Sequence, residues 1–106
     1  MDGRPKAIGL VRRGVRGGKG ADLGALAERH GYALVFMLGL DVGPLAAAMA
    51  LARHLDDHAA TAVVVPTYEH AEPYRTVITD FAALITPMRT YPRGYRWPTA
   101  DGGARS

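Results

Sequence analysis

The sequence predicts a single α/β domain, in which a mostly parallel four-stranded sheet lies between layers of helix. Three observations predict it. Short apolar runs near residues 7–11, 32–38, 61–65 and 83–86 alternate with stretches of helical period. The connections between them are short, and strict strand–helix alternation means parallel strands joined by right-handed crossovers. A chain of 106 residues, 48% hydrophobic and 22% charged, has the size and composition of one globular unit.

Ala7-Ile8-Gly9-Leu10-Val11, closed by Arg12, suits a buried first strand. Arg13 to Gly20 is a glycine-rich basic loop. Asp22 can cap the helix that follows, whose stripe of Leu23, Leu26 and Ala27 stops at His30-Gly31. Tyr32 to Leu38 reads as the second strand and Gly39 to Gly43 as its loop. Pro44 suits the first turn of an alanine-rich helix running through Leu45, Met49, Ala52 and Leu55 to His58. Thr61 to Val65 is the third strand, cut by Pro66. Pro73 opens a short helix carrying Tyr74, Val77, Ile78 and Phe81, and residues 83–86 form a fourth strand ended by Pro87. The domain is expected to span residues 1–90. Residues 91–106 form a basic, aromatic tail whose last stretch, Asp101 to Ser106, reads as a loose end.

Composition removes several kinds of chemistry. There are no cysteines, which excludes disulfides, zinc ribbons and thiol catalysis and points to a cytoplasmic setting. No apolar run approaches membrane-spanning length and residues 1–5 lack a signal-peptide shape, so no membrane partner is expected. The only serine is Ser106, and the chain has neither Asn nor Gln, the usual readers of adenine. The net charge of +3 is unevenly spread: six bases face one acid in residues 1–20, three face eight in 21–88, and four face one in 89–106. Basic ends on an acidic body suit contact with phosphate or an acidic partner, or serve solubility alone.

Ligands of open α/β sheets bind beyond the carboxyl ends of the strands. The loop Arg12–Gly20 therefore offers Arg12, Arg13, Arg16 and Lys19 as candidates for anion or nucleic-acid binding, with backbone amides able to cradle phosphate. It matches neither the Walker pattern nor the dinucleotide fingerprint. Thr67, Tyr68, Glu69 and His70 place an acid and a base after the third strand, a pairing that any short polar loop can contain. His54 and His58 share a helical face, but no third ligand is suggested, so no metal and no cofactor are expected. Arg89, Tyr91, Arg93, Tyr95, Arg96 and Trp97 interleave guanidinium and ring. That mixture can stack on bases, form a protein interface, or fold back over the sheet edge.

The run Ile8-Gly9-Leu10-Val11-Arg12-Arg13-Gly14 resembles the first strand of the serine recombinase (resolvase/invertase) catalytic domain, which delivers the nucleophilic serine. The segment His30-Gly31-Tyr32, the strand Leu34-Val35, the stretch Val63 to His70 and the run Ala83-Leu84-Ile85-Thr86 are similar to later parts of that domain. The likeness spans residues 6–90. It implies a resolvase-like fold in which Arg12 matches the family's first active-site arginine. Gly14 stands at the serine's position, Glu69 and His70 stand where Asp and Arg belong, and Pro73 replaces a second arginine. Prolines 87, 92 and 98 disfavour the family's long dimerisation helix. The resemblance implies a catalytically inactive domain, with no catalytic residues, that binds a protein partner or itself as a homo-oligomer. The alternatives are a DNA-associated accessory protein using the basic loop and tail, and a small phosphate- or nucleotide-binding domain.

Overall fold

The computed structural model describes residues 3–17 and 22–98. The expected anion ligand Lys19 and the expected loose end Asp101 to Ser106 lie outside the described residues. The elements run β1 (Lys6–Arg12), α1 (Leu23–Arg29), β2 (Ala33–Leu40), α2 (Pro44–Asp57), β3 (Ala60–Val64) and α3 (Tyr68–Ala71), then a 3₁₀ turn (Glu72–Tyr74), α4 (Arg75–Phe81), β4 (Ala83–Ile85) and β5 (Thr90–Tyr91).

Local chemistry accounts for the helix starts. The Asp22 carboxylate accepts from the Ala25 amide at 2.9 Å, satisfying one of the free donors of the first turn of α1. Pro44 begins α2, where its missing N–H costs nothing. The helix expected at Pro73 forms as α4 from Arg75, and a separate short helix, α3, precedes it after the extended Thr67. Pro73 sits within the 3₁₀ turn that joins α3 to α4.

The sheet has five strands and is mixed, which corrects the four-stranded parallel sheet expected from sequence. Its order is β2-β1-β3-β4-β5, with β1 to β4 parallel and β5 antiparallel to β4. The fifth strand is only two residues, where the domain passes into the basic tail, too short to carry a periodic pattern. A tight turn brings it back: Pro87 follows Thr86, whose hydroxyl donates to the Arg89 carbonyl (2.8 Å) and accepts from the Arg89 amide (2.9 Å).

Two apolar clusters hold the layers together. On one face, α2 and α4 bury Leu51, Leu55 and Ile78 against Ile8, Leu10, Val63 and Leu84. On the other, α1 buries Leu23, Leu26 and Ala27 against Ala7, Ala62, Val64 and Ile85. At Gly9, on that second face, an added Cβ would crowd the flexible ends of Met37 and Leu23, which would have to shift. A register shift in β2 opposite Ala7 and Ile8 leaves Val35 without a partner on β1. It turns Leu34 toward α1, and Phe36 and Leu38 toward α2.

Candidate functional site

The chain leaves β1 to one side through α1 and returns past it through α2, so the topological switch point lies between β1 and β3. Doubly wound sheets of this order open a ligand crevice there. In this protein the crevice is filled by His70, which is completely buried. Its Nδ1 accepts from the Arg12 amide at 2.9 Å, and its Nε2 lies 3.0 Å from the Arg16 carbonyl. A ring that accepts at Nδ1 carries its hydrogen on Nε2, so the imidazole is neutral and donates to Arg16. Both nitrogens are thus committed to the backbone of the glycine-rich loop, and His70 acts as a clamp.

The clamp shapes what it holds. The Arg12 guanidinium donates to the Glu69 carbonyl at 3.3 Å, so α3 fixes both ends of that residue. Gly14 and Gly17 have φ of +82° and +93°, which side chains rarely adopt. Gly17 also sits where a Cβ would lie 2.9 Å from Thr67 Cγ2, whereas Gly14 faces open space. The side chains of Arg13 and Arg16 project into solvent from this tightened loop.

The tail residues gather elsewhere. Tyr91, Tyr95 and Trp97 form a ring cluster with centroids 4.6–5.1 Å apart, and Tyr68 of α3 joins it at 6.2 Å from both Tyr91 and Trp97. Trp97 is anchored by its indole N–H, which donates to the Thr79 hydroxyl at 2.9 Å. Arg75 lies over the Trp97 ring at 4.9 Å, and Arg89 lies over Tyr91 at 4.9 Å and Tyr95 at 5.7 Å. Arg75 also donates to the Tyr68 hydroxyl; that hydrogen bond is the main reason its pKa is raised above the usual arginine value. Of the three sequence readings of the tail, folding back on the domain describes Tyr91, Tyr95 and Trp97. Arg93 and Arg96 remain exposed.

The structure therefore does not bring the predicted residues into one site. The loop and the tail form two groups with α3 between them: His70 holds the first and Tyr68 meets the second. His54 and His58, whose rings lie 6.3 Å apart, both stack against Phe36, at 4.7 and 4.6 Å. Among the described residues, no three His, Cys, Asp or Glu side chains are placed to hold a metal. Nor, among them, is any helix long and apolar enough to cross a membrane.

Sequence reasoning missed the roles of Arg75, Thr79 and Tyr68. Their significance depends on the tail reaching back across the sheet edge, which no local pattern encodes.

Beside the filled switch point lies a second, open crevice. It runs between the β3–α3 connection and the β4–β5 turn, encloses about 430 Å³, and is lined by Pro66, Thr67, Tyr68, Glu69, Thr86, Pro87, Met88, Arg89 and Tyr91. No family model, curated protein or solved structure matches the chain.

Proposed function

We propose that this protein is a catalytically inactive, recombinase-like domain that works by protein association, with a second copy of itself as the partner. One observation carries the proposal. Leu45 and Met49, one turn apart on α2 and turned away from the core, are 77% and 69% exposed where a surface helix ordinarily carries charge. The edge strand β2 favours a second copy as the occupant. Ala33–Leu40 contains no charge and no proline, and it exposes Val35 and Met37. Two such edges can therefore pair about a two-fold axis without like-charge contact. Inactivity is supported by the position matched to the recombinase nucleophile: Gly14 offers no hydroxyl, and the nearby imidazole of His70 has no free nitrogen.

The test is size-exclusion chromatography with light scattering, at low and moderate salt. A dimer is expected, with the double variant Leu45→Glu/Met49→Lys reduced to a monomer that keeps its circular dichroism. A wild-type protein that stays monomeric at high micromolar concentration overturns the proposal, as does strand-cleavage activity on DNA.

A second reading rests on the exposed guanidinium groups of Arg13, Arg16, Arg93 and Arg96, which suit an accessory protein on DNA. It predicts a shift on duplex DNA that falls steeply with salt and is weakened by Arg13→Ala/Arg16→Ala.

A further inference from the structure

We infer that the open crevice between the β3–α3 connection and the β4–β5 turn is a binding site for a small aromatic monocarboxylate. Its position is that of ligand sites in open α/β sheets, beyond the carboxyl ends of parallel strands. Its volume of about 430 Å³ falls in the range of small-molecule sites. The walls supply flat apolar surface from Pro66, Pro87, Met88 and the rings of Tyr68 and Tyr91, which suits a planar ring.

The polar groups favour an acceptor. The Tyr68 hydroxyl receives a hydrogen bond from Arg75, which leaves its own hydrogen to donate and polarises it for that purpose. Arg89 has no carboxylate partner among the described residues; its guanidinium rests over the Tyr91 ring of the wall and over Tyr95 behind it, to whose hydroxyl it donates at 3.4 Å. The Thr67 hydroxyl is sealed from water with no hydrogen-bond partner, although the residue is only half-buried and lines the crevice. Native proteins rarely leave such a group unsatisfied. The inferred ligand gives this hydroxyl the partner it lacks, reached by rotation about χ1. The lining thus offers an acceptor three donor-bearing residues, Thr67, Tyr68 and Arg89. Glu69, the carboxylate among the lining residues, weighs against a second negative charge on the ligand and so against phosphates.

The probe is 2-naphthoate, titrated into the full chain and followed by ¹H–¹⁵N NMR. Saturable shifts are expected at Thr67, Tyr68, Met88 and Arg89. The neutral 2-naphthalenemethanol should bind about tenfold more weakly, and Tyr68→Phe and Arg89→Gln should each weaken naphthoate by about the same factor. Thr67→Val is the sharpest variant, since it is expected to raise Tm and weaken naphthoate together. Absence of saturable shifts at millimolar naphthoate overturns the site, and so do shifts centred elsewhere. Equal affinity for acid and alcohol, or tighter binding of naphthyl phosphate, overturns the ligand class. A more stable Thr67→Val protein with unchanged affinity removes Thr67 from the site. None of these readouts depends on the oligomeric state.

Discussion

The two crevices at the carboxyl edge of the sheet stand side by side and differ in one respect, the satisfaction of their polar groups. Between β1 and β3, where topology puts the ligand of a doubly wound sheet, a buried histidine spends both ring nitrogens on the loop that would otherwise cradle an anion. Between β3 and β4, the walls are aromatic and a threonine hydroxyl is left without a partner. The first crevice has become part of the fold, and the second is the one with binding capacity to spare. The strand order locates a family of crevices, and only the hydrogen-bond accounting decides which of them can work.

The largest expected effect breaks the first crevice. His70→Ala removes a fully buried side chain, strands the Arg12 amide and the Arg16 carbonyl, and leaves a cavity. A loss of about 3–4 kcal/mol is expected in urea denaturation, a large share of what a small domain possesses. His70→Gln, which offers one acceptor and one donor, should recover part of it. A loss under about 0.5 kcal/mol for the alanine variant would show that the clamp is not holding the loop.

Next in size is the support behind the wall of the second crevice, where Trp97 packs against Tyr68 and Tyr91. Trp97 joins the tail to α4 through its hydrogen bond to Thr79 and stacks with Tyr91 and beneath Arg75. Trp97→Ala should cost about 2 kcal/mol, and Trp97→Phe, which keeps a ring and loses only the N–H, about 1 kcal/mol. Thermal melts followed by far-UV circular dichroism measure both. If Trp97→Ala melts with the wild type, the tail is a passenger and the second crevice lacks its support.

These two regions also mark what the sequence could and could not disclose. Elements whose cause is local were legible: the Asp22 cap, Pro44 at the start of α2 and the apolar runs of β1 to β3 all form near their predicted places. The roles of His70 and Trp97 were not legible, because each is set by partners distant in the chain. His70 reaches back 58 and 54 residues to the loop, and Trp97 reaches 18 residues to Thr79. An acid–base pair after a strand reads the same whether its histidine faces a substrate or a backbone amide. Alternating arginines and rings likewise read the same whether they stack on a nucleobase or on one another. The two-residue β5 escaped for a different reason, since it forms only because the turn at Thr86–Arg89 delivers it to β4.

The smallest effect compares two glycines of one loop. Gly14 and Gly17 share a left-handed φ, so replacement of either by alanine carries a backbone cost of about 1 kcal/mol. Gly17 lies against the Thr67 methyl, at the seam between the two crevices, whereas a Cβ at Gly14 meets nothing within 4 Å. Gly17→Ala should therefore destabilise more than Gly14→Ala, by about 0.5–1 kcal/mol beyond the shared backbone term. The excess should vanish in a Thr67→Ser background, which removes the methyl the new Cβ would strike. A double-mutant cycle measures this coupling directly. Purely additive behaviour would mean that the loop yields to the added methyl, and that the clamp fixes Arg12 and Arg16 without fixing the segment next to them. Coupling would instead tie the wall of the open crevice to the loop of the filled one. Thr67 would then be the residue through which a ligand in the second crevice is felt at the exposed arginines of the first.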